Sequence, residues 1–232
     1  MIKFTPILLA ILYALAMYRF SVWRTSKELD AKSTELADPM LKVLCDQMAG
    51  ALEIERIRVH IYEVEPVNGL AAPDGRIFIT RGFFNRYRQG KVTAEEMATV
   101  IAHELGHVAL GHSRRRMIDF SSQNAMRTAL AMVLNRFLPG IGPIIASGLM
   151  SLLAAGLSRS DEFEADAYAS ALLVKSGIGT GPQKSLFRKL ETLTGARGAS
   201  MPAWIMSHPK TDQRIAAIEA NEAKWLKSGT PD

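Results

Sequence analysis

The chain has 232 residues, 48% of them hydrophobic and 22% charged, which is enough apolar material for one substantial core and too little for two. Lys and Arg number 28 against 23 Asp and Glu, a modest basic excess with no aromatic interleaving and no nucleic-acid motif, so DNA and RNA are excluded as expected partners. The single cysteine, Cys45, excludes an intramolecular disulfide and says nothing firm about compartment.

In chain order, the first feature is an apolar run from Phe4 to Tyr18, with Lys3 before it and Arg19, Arg24 and Lys27 after it. It is short for a spanning helix unless Phe20, Val22 and Trp23 extend it to the interface. Two readings stand: an uncleaved anchor, favoured by the positive residues beyond the run, and a signal peptide cleaved after the small residues of Ala14-Leu15-Ala16. Residues 1–26 are accordingly predicted to be a membrane anchor or signal segment and residues 27–232 a single domain. An uncleaved anchor would hold the protein at a membrane, whereas cleavage would release it.

Lys27 to Leu52 reads as an amphipathic helix carrying Cys45, and Arg56 to Val64 alternates like a strand, with His60 a structural residue within it. Val67 to Ala72 and Arg76 to Thr80 flank Pro73-Asp74-Gly75, a hairpin signal.

Val100 to Leu110 is an apolar helical stretch containing His103-Glu104-Leu105-Gly106-His107. Residues four apart lie on one helix face, roughly 6 Å apart along the axis, so both imidazoles can address one metal ion while Glu104 stands beside the open position. A bare HExxH also arises by chance, and a lone helical histidine is ordinarily a satisfied core or surface residue. Gly106 weighs against chance: it costs a helix about 1 kcal/mol relative to Ala, so something is expected to pack closely against it. With two imidazoles and one carboxylate, zinc keeps its Lewis acidity and a position for water, whose proton Glu104 would take and pass to the leaving amine. A third histidine is excluded by spacing, because Leu110 and Ser113 occupy the places where HExxHxxGxxH needs glycine and histidine. His112 is read as a helix-end residue, and Arg114 to Arg116 as a solvated helix end that could also lie against anionic lipid.

Phe137 to Leu157 carries no charge and approaches transmembrane length, but a single crossing would separate His107 from any ligand downstream of it. Pro139, Gly140, Gly142 and Pro143 interrupt the run, so residues 120–157 are expected to form an apolar helical hairpin within the domain. Ser158 to Asp166 then opens a helix with Ser160 as N-cap and acids in the first turn. Glu162 and Asp166 share a face, which makes Glu162 the candidate third ligand and Asp166 the carboxylate that would hold a ligating imidazole by its other nitrogen, while Glu164 faces elsewhere. After Gly181-Pro182, three further helical segments close the domain.

The strings HELGHVALGHS and SRSDEFEADAYA, followed by His208-Pro209-Lys210-Thr211-Asp212-Gln213-Arg214-Ile215, resemble the zinc metallopeptidase family of the CAAX prenyl proteases, HtpX-like heat-shock proteases and BepA/LoiP-type proteases. The layout is most similar to the BepA/LoiP-type and Oma-type single-domain members, and the resemblance runs from about Leu36 to about Trp225. It implies a gluzincin-type α+β fold, predominantly helical, with a small sheet beside the HExxH helix. It also implies one zinc ion held by His103, His107 and Glu162, with Glu104 as the catalytic acid/base, and it gives Asp166, His208 and Arg214 roles near the metal. His208 would either stabilise the tetrahedral intermediate or occupy the open position and close the site. The edge strand near Asn68, Gly69, Leu70 and Ala71 would accept an extended peptide by backbone pairing. Relatives often have Asn-Ala-Phe-Ala there, so the glycine is a departure expected to loosen the edge. The implied partners are unfolded or membrane-proximal protein substrates in bacterial protein quality control. The alternative from another class is a non-proteolytic, chaperone-like binding module with a closed zinc site. A prenyl-protein substrate is disfavoured, since the many membrane helices of a lipid-accepting chamber are missing.

Overall fold

The computed structural model describes residues 5–72, 74–112, 131, 134–136, 138, 140–193 and 211–228. The elements in order are α1 (Thr5–Ala31), β1 (Ser33–Glu35), α2 (Pro39–Ala51), β2 (Val59–Tyr62), β3 (Gly69–Ala71), β4 (Ile77–Thr80), α3 (Arg81–Arg88), α4 (Ala94–Ala109), α5 (Gly142–Lys175), α6 (Gly181–Leu193) and α7 (Thr211–Ser228). The fold is α+β and predominantly helical, in agreement with the sequence reading. Two compact units are present, one of Met1–Ala31 with His112–Ser158 and one of Lys32–Gly111 with Arg159–Asp232.

The second unit holds the sheet, whose strand order is β1-β2-β4-β3. β1 runs antiparallel to β2, β2 parallel to β4, and β3 antiparallel to β4, with Gly69 opposite Ile79 and Ala71 opposite Ile77. β2 alternates, burying Val59 and Ile61, whereas the interior strand β4 is buried throughout, as a strand covered on both faces should be. The hairpin expected around Pro73-Asp74-Gly75 is the β3–β4 pair, closed by a hydrogen bond from Ala72 N to Arg76 O of 2.8 Å.

α4 packs between the sheet, α2 and α6. Its start is fixed by a capping box: Glu96 N donates to Thr93 Oγ1 at 3.2 Å and Thr93 N donates to Glu96 Oε2 at 3.0 Å. The same carboxylate accepts from Ser185 Oγ at 2.6 Å and pairs with Lys189 Nζ at 2.7 Å, which docks α6 onto the head of α4. Met97, Ile101, Ile77, Ile79, Met48, Phe83 and Leu186 form the core around this helix. Every residue from Ala94 to His107 but Glu95 is buried, so α4 is a central helix rather than an amphipathic surface one.

Two expected elements differ. The single helix predicted over Lys27 to Leu52 is broken: α1 ends at Ala31, Ser33–Glu35 joins the sheet edge, and α2 begins at Pro39. The Asp38 carboxylate caps this new start by accepting from Met40 N and Leu41 N, each at 3.1 Å, and Pro39 fits the first turn but would break a helix interior. Nor does Ser160 cap a helix; it lies within α5, which runs unbroken from Gly142 to Lys175. The Ala/Leu-rich run upstream contains no proline after Pro143, so nothing stops helix propagation before Ser160, whose hydroxyl donates instead to Glu164 Oε1 at 3.1 Å.

Residues 113–130, including Arg114 to Arg116, and with them most of the partner helix expected for the 120–157 hairpin, lie outside the described residues. So do His208 and Pro209, and of the three segments expected after Gly181-Pro182 the described residues contain α6 and α7. Among the described residues no helix is long and apolar enough to cross a membrane.

Candidate metal centre

A buried helix that carries His103, Glu104 and His107 needs a reason, because polar groups removed from water cost free energy unless they are paired. The reason is a cluster. Nε2 of His103 lies 3.1 Å from Nε2 of His107, and the Glu162 carboxylate reaches both, with Oε2 3.3 Å from His103 Nε2 and Oε1 3.4 Å from His107 Nε2. The three ligand atoms lie within 4.8 Å of one another, close enough to hold one metal ion. Two imidazoles and a carboxylate are the donor set of a hydrolytic zinc site with one position left for solvent. The charge fits as well. With both imidazoles neutral, as ligands must be, buried Glu104, Glu162 and Asp166 face one buried guanidinium, Arg214, a surplus of two negative charges that a divalent cation would neutralise.

Asp166, one turn after Glu162 on α5, lies 2.9 Å from Nδ1 of His103, which leaves Nε2 directed at the other two ligands. Its other contacts fix it firmly. Arg214 on α7 donates to it twice, from Nε to Oδ2 at 2.5 Å and from Nη2 to Oδ1 at 2.7 Å, and the guanidinium stacks over the Phe187 ring at 4.3 Å. The sequence reading did not find the residues that hold the backbone of Asp166: its carbonyl accepts from Ser170 Oγ at 2.8 Å and from Gln183 Nε2 at 3.3 Å, and Ser170 Oγ also lies 2.7 Å from Gln183 Oε1. Ser170 sits four residues beyond Asp166, a back-bonding position visible in sequence; Gln183, on α6, gave no local signal.

These pairings set the titration of the metal-free cluster. Burial pushes His103 down, but the hydrogen bonds it donates to the Asp166 and Glu162 carboxylates outweigh this and raise the imidazole to about 9. Burial pushes Asp166 up, and the Arg214 charge and hydrogen bonds together with His103 overcome this, holding the carboxyl at about 2. Asp166 is therefore an anion at any working pH.

Two glycines set how closely the cluster is packed. A β-carbon on Gly106 would lie 2.9 Å from the carbonyl oxygen and 3.0 Å from Cα of Ala165, so α4 and α5 cross almost backbone to backbone beside the ligands. The close packing expected from the small residue in the motif is thus present. On the other side of α4, β3 passes Glu104 at Gly69, which is buried. β3 is an edge strand. Asn68 O accepts from Thr80 N at 3.1 Å and Ala72 N donates to Arg76 O, so the alternation of the antiparallel register turns the N–H and C=O of Gly69 and Ala71 toward the open edge. Leu70 is half-buried, and Oδ1 of Asn68 is buried without a hydrogen-bond partner among the described residues. His112 is buried and is not among the three clustered ligands.

Comparison with known proteins agrees with this geometry. The profile of peptidase family M48 matches residues 35–222. The metalloprotease LoiP of Escherichia coli is 29% identical over 206 residues, covering 83% of this chain and 75% of LoiP. A protease HtpX homologue of Bordetella avium is 27% identical over 209 residues, covering 75% of this chain and 67% of its own. The mitochondrial metalloendopeptidase OMA1 of Bos taurus is 24% identical over 191 residues, covering 79% of this chain but 36% of OMA1.

Proposed function

The chain is a metalloendopeptidase of peptidase family M48, and from that premise we propose that it works with one zinc ion held by His103, His107 and Glu162 and cleaves unfolded or membrane-proximal proteins in protein quality control. The observation that carries the metal reading is the convergence of those three ligand atoms from two distant segments within 4.8 Å. Zinc, when bound, would supply Lewis acidity and lower the pKa of water toward about 7.

The chain's own residues do the rest. Glu104, adjacent to His103 and buried beside β3, takes the proton of the attacking water on its carboxylate and returns it to the departing amine. Asp166 fixes the tautomer and orientation of His103, and Arg214 keeps Asp166 ionised and in place. An extended substrate pairs with the outward N–H and C=O of Gly69 and Ala71, beside the Glu104 carboxylate. A requirement for an added strand favours unfolded segments, because a folded strand already has its partners. His208 would act near the metal as the family resemblance implies.

Membrane association is part of the same reading. α1 exposes Leu12, Leu15, Phe20 and Trp23 with Arg19, Arg24 and Lys27 among them, an apolar surface with cationic punctuation suited to a bilayer interface. The deciding experiment is Glu104→Gln with an unfolded casein-type substrate. Cleavage is expected to fall by about 10²-fold or more while zinc is retained. Undiminished cleavage rejects Glu104 as the acid/base, and absence of cleavage by the wild-type zinc protein rejects the peptidase reading.

A further inference from the structure

Thr80 is the last residue of β4 and the N-cap of α3, so its main chain has two duties at once. Its N–H continues the sheet, donating to Asn68 O at 3.1 Å. Its carbonyl, as that of an N-cap residue, is committed to the first turn of the helix. Asn68 stands opposite, one residue before β3, and on an antiparallel ladder its own N–H needs an acceptor from this end of β4. The hydroxyl supplies it. Thr80 Oγ1 accepts from Asn68 N at 3.0 Å, donates to Asn68 O at 3.0 Å and accepts from Phe83 N at 3.4 Å. A hydroxyl has one proton and two lone pairs, so its whole capacity is used, and Thr80 is buried out of reach of solvent.

We propose that Thr80 is a positioning residue for the substrate: its hydroxyl pins Asn68 and so holds the outward N–H and C=O of Gly69 and Ala71 where an incoming strand must meet them. The inference rests on the reading of β3 as the strand that a substrate joins. β3 is three residues long and is paired on one side alone, so its order depends on how its ends are tied. The far end is closed by the hydrogen bond from Ala72 N to Arg76 O, and the near end by Thr80. An edge ordered before the substrate arrives spares binding the cost of ordering it. Loss of the hydroxyl should therefore weaken binding and leave the proton transfers of Glu104 unchanged.

The test uses zinc-loaded Thr80→Val, which keeps the shape and loses the hydroxyl, and Thr80→Ser, which keeps the hydroxyl, with an unfolded casein-derived peptide that the wild type cleaves. Thr80→Val is expected to raise KM roughly 10-fold with kcat within about threefold and zinc still one per chain, and Thr80→Ser to stay within about threefold of wild type. The discriminating readout is a set of analogues of that peptide, each carrying one backbone N-methyl group. At the positions that pair, the methyl group should raise the wild-type KM about 10-fold or more, and that penalty should shrink to less than about threefold in Thr80→Val. An unchanged KM in Thr80→Val overturns the proposal, as does a loss confined to kcat. So does an N-methyl penalty as large as in wild type, or a Thr80→Ser as weak as Thr80→Val. If Thr80→Val does not fold, Thr80→Ala takes its place with the same expected and overturning results. Analogues all cleaved like the parent by the wild type would instead show that strand pairing, the underlying reading, has failed.

Discussion

Gly106 on α4 lies against the backbone of Ala165 on α5, so close that a β-carbon would sit 2.9 Å from the Ala165 carbonyl oxygen. Glu162 is one turn before Ala165, and the separation of the two helices therefore fixes how far its carboxylate stands from His103 and His107. In Gly106→Ala two effects oppose each other. Helix propensity gains about 1 kcal/mol, while overpacking against a backbone that cannot rotate away costs typically 1–3 kcal/mol. The clash should win. Zinc affinity is expected to fall at least about tenfold, with metal-free stability lower by about 1 kcal/mol, read by competitive metal titration and by thermal unfolding in chelator. Unchanged affinity with a stability gain would show that the helices separate freely and do not set the site.

Asp166 is held by a buried bidentate guanidinium, so the two partners should fail differently. Asp166→Asn keeps the shape but weakens the grip on His103, and zinc affinity should fall about 10- to 100-fold. Arg214→Met strips the buried carboxylate of its guanidinium, leaving the His103 imidazolium against it, and should destabilise the metal-free protein by about 3 kcal/mol. The double variant should be less destabilised than the sum of the singles, because the stranded charge is gone. Additive losses in chemical denaturation would refute the coupling drawn from the Nε–Oδ2 and Nη2–Oδ1 contacts.

The pH dependence of metal loading follows from His103. Its metal-free value of about 9 is above that of an unfolded imidazole, so its contribution to metal-free stability is complete below about pH 6.5 and is lost as pH rises through 9. Zinc needs the unprotonated Nε2 and has the opposite dependence. Apparent affinity should increase about tenfold per pH unit between about 6.5 and 9, where one proton is displaced. Calorimetry in buffers of different ionisation enthalpy would count that proton; a flat affinity across this range would mean that His103 is already neutral in the metal-free protein.

Much of this centre was visible in the residues themselves, and the reason is local periodicity. His103 and His107, and Glu162 and Asp166, are i,i+4 pairs, so a helix alone puts each on one face. Gly106 announced the close crossing because glycine is costly in a helix. Errors arose where a local signal competed with a longer-range one. Lys27 to Leu52 keeps its amphipathic pattern through the break, and only pairing of Ser33–Glu35 with β2, a tertiary contact, interrupts it. Ser160, Asp161 and Glu162 imitate a helix start, yet the uninterrupted run behind them continues the helix. Gln183 is a contact across chain distance with no local pattern, as is the seating of Gly69 against Glu104.

Glu222 on α7 ties the helix that carries Arg214 to α6: it pairs with Lys184 Nζ at 2.7 Å and accepts from the Thr180 hydroxyl. Burial pushes the carboxyl up, but the hydrogen bonds of Lys184 and Thr180 outweigh it and hold the group below the usual carboxylate range. Its contribution is therefore fully present above that range and is lost as pH falls through the depressed folded value. Glu222→Gln should lower stability at pH 7 by about 1 kcal/mol, a drop in Tm of about 2–4 °C for a chain of this size. The difference from wild type should shrink as pH falls through the depressed folded value, below which both side chains are neutral. Because Asp166 holds Arg214 independently, zinc affinity at neutral pH should change by less than about threefold. A larger loss would mean that α7 is positioned chiefly through Glu222, and a Tm difference that persists undiminished in acid would show that the lost contact is packing rather than charge.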